Sequence, residues 1–350
     1  MSDTTENTTD YKAAGDKSAT SAFNADGDVL RRTHIGGQAL IEGIMMRGRY
    51  NWAAAIREPS GEIYLEEHDL ASGKKRNSWL YWPIVRGCTA FVESLVLGFK
   101  ALSIAAEHAF NEEPNEETGE EGFEFGGGAM AASMVLGLLL GVFLFIMAPA
   151  VITNLLVGEY DDKTLLWNVV DGLLRIAIFI FYIWLIGRME DISRMFEYHG
   201  AEHKTIHCYE HGLPLTPENA RSFPRLHVRC GTAFLIMVMI IAIFVYAVTP
   251  INALIDLWGV HDSIPKLILV MIVRVILMPV IAGFSYEVTV KWAGTHPENP
   301  VVKVVLWPGL QMQRLTTHEP DDSQLECAIA AMKCVLEREE REARAADSLS

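Results

Sequence analysis

Five of the eleven histidines fall between positions 199 and 227. The run Tyr198-His199-Gly200-Ala201-Glu202-His203-Lys204-Thr205-Ile206-His207-Cys208-Tyr209-Glu210-His211 spaces histidines 199, 203, 207 and 211 four apart. In an α-helix such positions advance about 40° per step and share one face. His199, Glu202 and His203 form H-x-x-E-H, the inverted zincin spacing: two i, i+4 histidines hold Zn²⁺ and the glutamate activates water. A catalytic zinc takes three protein ligands and keeps one position open, so a third ligand is required. His227 and Cys230, in Leu226-His227-Val228-Arg229-Cys230-Gly231-Thr232, are candidates, and so is Glu287 at the end of the last apolar stretch. A carboxylate is what the inverted-zincin analogy favours. Glu287 and His227 rank equally on this reading, and Cys230 also fits a buried structural thiol. Gly200 inside the motif weakens the helix by about 1 kcal/mol. The competing reading is a solvated helix whose histidines face water, and the density of histidine and cysteine between 199 and 230 favours a metal site.

Four apolar stretches must position this cluster. Met130–Asn154, Leu165–Gly187, Gly231–Pro250 and Leu267–Tyr286 each approach the length needed to cross about 30 Å of hydrocarbon at 1.5 Å per residue. Backbone hydrogen bonding in lipid predicts helices for all four. The loop 188–229 carries Arg188, Arg194, Lys204, Arg221, Arg225 and Arg229, whereas the other two loops carry only Lys163 and Lys266. The excess of positive charge places this histidine-rich loop, and with it both termini, in the cytoplasm of a multi-pass cell-membrane protein.

Around that four-span domain, 129–287, the remaining segments are polar or amphipathic. Residues 1–32 read as a disordered tail without a secretory signal. Residues 33–78 form a small, water-facing, strand-rich cytoplasmic α+β region, with Asn51–Arg57 and Glu62–Glu66 flanking the turn residues Pro59-Ser60-Gly61. In 79–110, Arg86, Glu93, Lys100 and Glu107 recur every seven residues and make one polar stripe, which predicts an amphipathic interfacial helix. The stretch 111–128 is an acidic, glycine-ended linker. The cytoplasmic region 288–350 ends in a helix opened by Pro320, with Leu325, Ile329, Met332 and Leu336 as its apolar stripe.

Composition excludes other classes. A net charge of −15 argues against a nucleic-acid partner, and five scattered cysteines without a C-x-x-C pair make no disulfide scaffold. Gly36 to Gly48 matches no nucleotide-binding glycine pattern. Asp171, Arg175 and Arg274 fall inside predicted spans, where charges are costly and face the bundle interior. Asp171 and Arg175, four apart, can pair directly, while Arg274 has no evident partner. These three carry the alternative function, a membrane transporter or a scaffold.

Three blocks resemble the YqhQ-like family of bacterial multi-pass membrane proteins: Gly36-Gly37-Gln38-Ala39-Leu40-Ile41-Glu42-Gly43-Ile44-Met45-Met46-Arg47-Gly48, the Tyr198–Ile206 motif, and Arg229-Cys230-Gly231-Thr232-Ala233-Phe234-Leu235. Pro308–Thr317 resembles that family's C-terminal block, and the likeness spans about residues 33–335. Val228 stands where the family pattern places proline. The resemblance implies a metal-dependent enzyme without an assigned substrate, and it makes Glu42 and Arg47 worth testing, although on residue type they read as a surface ion pair. The expectation is therefore a polytopic α-helical membrane protein with four transmembrane helices and a small cytoplasmic α+β N-terminal region. It would act as a metal-dependent, hydrolytic enzyme: His199 and His203 hold a divalent metal, with Zn²⁺ the candidate, Glu202 is the general base, and Glu287 or His227 completes the site. The bilayer is its one legible partner; the sequence sets neither substrate nor oligomeric state.

Overall fold

The computed structural model describes residues 33–70, 78–109, 127–160, 164–228, 230–260, 263–293, 296 and 299–348. The expected tail 1–32 and nearly all of the acidic linker lie outside the described residues. Four strands, β1 (Gly36–Leu40), β2 (Gly43–Arg47), β3 (Asn51–Arg57) and β4 (Ile63–Asp69), form an antiparallel meander in the order β1-β2-β3-β4. The hairpin read around Pro59-Ser60-Gly61 is β3–β4, with Arg57 opposite Ile63. The glycine-rich stretch makes a second hairpin, in which Leu40 faces Gly43 and Glu42 takes a left-handed φ of 49° at the turn.

The sheet is not water-facing, as its sequence suggests, because helices cover both faces. One face presents Ile44, Met46, Ala53 and Ala55 to Leu325, Ala328 and Met332 of the C-terminal helix. The other presents Leu40, Met45, Trp52, Ala54 and Ile56 to Leu97, Ala101 and Ala105 of helix α1 (Val85–Ala109). Burial on both faces replaces the usual apolar–polar alternation with a nearly continuous apolar run.

The remaining helices are α2 (Gly127–Val142), running through a π-helical turn at Phe143–Met147 into α3 (Ala148–Val157), then α4 (Thr164–Ile186), α5 (Glu190–Glu210) and the short α6 (Pro217–Arg221). They continue with α7 (Gly231–Val248), α8 (Ile251–Trp258), α9 (Ser263–Tyr286) with a π-helical extension Glu287–Trp292, α10 (Pro300–Thr316) and α11 (Asp322–Asp347). The expected terminal helix is α11. Asp321 accepts from the Gln324 amide while the Gln324 side chain accepts from the Asp321 N–H, a reciprocal cap that satisfies two otherwise orphaned donors.

Among the described residues, four helices are by length and composition apolar enough to cross a membrane: Val85–Ala109, Val135–Val157, Thr164–Ile186 and Ile264–Trp292. Three of them overlap expected spans. The expected span Gly231–Pro250 supplies only the shorter apolar helix Phe234–Val248, while α1, read from sequence as amphipathic, meets the criterion. Two charges of its stripe are partnered: Arg86 pairs with Glu287, and Glu93 lies 3.6 Å from Arg47. The first turns of α1 meet the end of α9, where the Cys88 thiol donates to the Pro279 carbonyl at 2.9 Å, and its later turns pack on the sheet.

Arg274 does find a partner. Asp171 Oδ2 accepts from Arg175 at 3.0 Å and from Arg274 at 2.5 Å, and Arg274 also donates to Asn168 Oδ1 at 2.5 Å. Its guanidinium lies over the rings of Trp167 and Tyr246, at 4.7 and 4.5 Å. A guanidinium held by carboxylate, amide and two ring faces ties α4, α7 and α9 together.

Candidate metal centre

Helix α5 carries the H-x-x-E-H motif, and its stretch from Tyr198 to Ile206 is buried throughout. Glu190 and Asp191 sit in its first turn, where the helix dipole favours acids. Gly200 is there because the chain between α10 and α11 crosses the helix at that point: a Cβ would collide with the His318 carbonyl oxygen. That crossing delivers the Thr316 carbonyl to His199, whose Nδ1 donates to it at 2.8 Å. On the next turn His203 Nδ1 donates to the Arg225 carbonyl at 2.5 Å.

Carbonyl oxygens only accept, so each Nδ1 carries a proton and each Nε2 is turned to the remaining side of its ring. His203 Nε2 is buried without a hydrogen-bond partner. His199 Nε2 meets Cys230 Sγ at 3.1 Å. The potential ligand atoms of His199, His203 and Cys230 all lie within 4.8 Å of one another. Cys230 caps the N-terminus of α7, where its sulfur accepts from the Thr232 amide at 3.4 Å.

Electrostatics match this geometry. Burial would raise the Cys230 pKa, but His199 and His203 hold it well below the usual thiol range. Burial would equally lower that of His199, yet the Cys230 sulfur lifts it to about 9. Both shifts follow from the same close contact between the Cys230 sulfur and the His199 imidazole. By contrast, burial pushes the Cys208 and Cys327 thiols up to about 11 and leaves them inert. Two imidazoles oriented by backbone carbonyls, one of them orphaned, and a thiolate are a donor set that fits a soft-to-borderline divalent ion such as Zn²⁺.

Glu202 shares this buried region. Its Oε1 accepts from the Gly37 amide of β1 at 2.9 Å, and a Cβ on Gly37 would come within 2.9 Å of the Glu202 carboxyl carbon. Burial raises its pKa, an effect that His203 and His199 oppose.

The other expected site residues fall elsewhere. His227 belongs to a second group with His207 and Glu210, also within 4.8 Å of one another, and its ring centroid is 5.6 Å from that of His203. Gln313 grips the His227 backbone from both sides, at 2.8 Å each. Glu287 joins neither group, because Arg86 claims its carboxylate with two charge-assisted hydrogen bonds. Glu42 and Arg47 do not pair with each other: Arg194 binds Glu42 through two 2.6 Å hydrogen bonds, tying the β1–β2 turn to α5. Asp171, Arg175 and Arg274 are not among the residues lining the large cavity over the cluster.

Sequence reasoning missed the carbonyls of Thr316 and Arg225, the backing of Glu202 by Gly37, and Glu210. Only Glu210 left a signal, its i, i+3 spacing from His207.

A small sheet sandwiched by helices, joined to long apolar helices around a buried histidine–cysteine cluster, defines the class. The chain belongs to a family described as proteins of unknown function (DUF1385), whose model matches residues 82–338. It is 33% identical over 310 residues to the uncharacterized protein YqhQ of Bacillus subtilis (strain 168), an alignment covering 87% of this chain and 92% of that protein. The YqhQ-like resemblance read from the motifs is thereby borne out. No solved structure matches.

Proposed function

We propose that this protein is a divalent-metal-dependent hydrolase working at the cytoplasmic face of the membrane. The observation that carries the reading is the convergence of His199, His203 and Cys230, with both Nδ1 atoms fixed by carbonyls and Glu202 beside them. A divalent ion at these ligands supplies polarisation of a substrate oxygen and activation of water. Cys230 takes the place of the expected third ligand. Glu202 is the general base; burial raises its pKa against the opposing pull of His203 and His199, the direction that favours proton uptake.

The spans in this reading are α2–α3, α4, α7 and α9. Although α1 is long enough to cross, its later turns are built into the sheet domain, so it lies at the interface. The arginines and lysine of 188–229 then put α5, the sheet and both termini in the cytoplasm.

Metal analysis of the purified protein against the His199→Ala/His203→Ala double variant tests the metal. The wild type is expected to hold a divalent ion that the variant lacks; equal stoichiometry sinks the reading.

A further inference from the structure

The metal cluster opens onto a cavity of about 1520 Å³, larger than the roughly 300–1,000 Å³ typical of drug-sized sites. Its polar end holds His199, Glu202 and Cys230. Away from them the walls turn apolar, drawn from α1, α7, the π-helical extension of α9 and α10. Phe91, Leu95, Leu235, Val290 and Trp307 line this space and are also exposed on the outside of the molecule, Trp307 at 60%. The cavity therefore opens sideways through an apolar rim, on helices that include two long and apolar enough to enter a bilayer. A water-soluble substrate has no use for such a wall, and each exposed apolar rim residue would be costly against water.

The lining is also net basic. Lys204, Arg221, Lys303 and Arg314 outnumber Glu202 and Glu210. Lys204 pairs with Glu319 and Arg221 with Asp322. Arg314, near the Thr316 end of α10, has no ion-pair partner among the described residues and remains available to an anionic head group.

We infer that the cavity receives an anionic membrane lipid from the bilayer. Its acyl chain lies along α1 and α10, and its charged head reaches the histidine–cysteine end. The chain-binding part stands on the cavity alone; placing the scissile head group at the cluster rests on the hydrolase reading above. An acyl chain suits such a wall because each CH₂ it buries strengthens binding by roughly fourfold.

The test is photocrosslinking of the full-length protein in bilayers doped with phosphatidylglycerol carrying a diazirine at its acyl end. Crosslinks are mapped by mass spectrometry and compared with those on the outward-facing Leu136, Leu138, Leu139 and Leu140 of α2 as an internal control. Labelling of the buried wall residue Leu310 is expected, with Ser94→Trp reducing it at least fivefold while the α2 control and bound metal stay unchanged. The milder Ala90→Leu replaces Ser94→Trp if that variant loses its control labelling. Labelling of α2 alone, or no change on plugging, overturns the proposal. A phosphatidylcholine probe that labels Leu310 equally well overturns its anionic selectivity. If the wild type crosslinks at Leu310 yet binds no metal, the hydrolase reading fails and the lipid site stands. His199→Ala/Cys230→Ser is expected to lose metal and keep the crosslink.

Discussion

At the scale of single residues, the centre depends on which atoms are already committed. His199 and His203 each spend Nδ1 on a carbonyl, and Glu287 spends its carboxylate on Arg86. Cys230 alone among the three third-ligand candidates sits within reach of both histidines. Cobalt distinguishes the ligand sets, because only a thiolate ligand gives an ultraviolet sulfur-to-metal charge-transfer band. The wild-type cobalt complex is expected to show that band, Cys230→Ser to lose it, and Glu287→Gln to keep it; persistence in Cys230→Ser would remove sulfur from the site. The histidine pair and Glu202 were legible because helical spacing alone aligns them. The third ligand was not, because spacing alone ranks Glu287 and His227 equally and lets Cys230 read as a buried structural thiol. The guanidinium that removes Glu287 lies 201 residues away in the chain.

At the scale of elements, Gly200 separates an open helix from a crossed one. In an open helix, glycine to alanine stabilises by about 1 kcal/mol through propensity. Here the Cβ would strike the His318 carbonyl, and relieving that overlap costs about 1–3 kcal/mol, as overpacking does. Gly200→Ala is thus expected to lower the unfolding temperature of the detergent-solubilised protein, and a rise would contradict the crossing. The β3–β4 hairpin and α11 could be read directly, from turn residues and from an apolar stripe with its cap. The covered sheet could not. Ala53, Ala54 and Ala55 are small because helices press on both sides, and their lack of alternation hides which face is which.

At the scale of the whole molecule, the sheet, α5 and α11 form one body carrying both the N-terminal strands and the C-terminal helix, so they share one side of any membrane the apolar helices cross. A reporter inserted after Gly212 is expected to read as cytoplasmic; an external signal would reverse the orientation. Four apolar stretches were legible in the sequence, but which helices are long and apolar enough to cross was not. Composition does not distinguish α1, whose later turns rest on protein, from a helix surrounded by lipid.

The strap that crosses α5 at Gly200 also has a consequence in time. The carbonyl that orients His199 belongs to Thr316, and the glutamine that grips His227 is Gln313, both made after Trp292 ends the last long apolar helix. The last long apolar helix is therefore synthesised before His199 can be aimed, whereas the Arg225 carbonyl that orients His203 is made earlier. A chain stopped after Leu315 is expected to fractionate with membranes and carry no cobalt; metal in that fragment would show the strap to be dispensable. On the metal reading, a chain released before Thr316 would lack the carbonyl that orients His199 and would stay empty of metal.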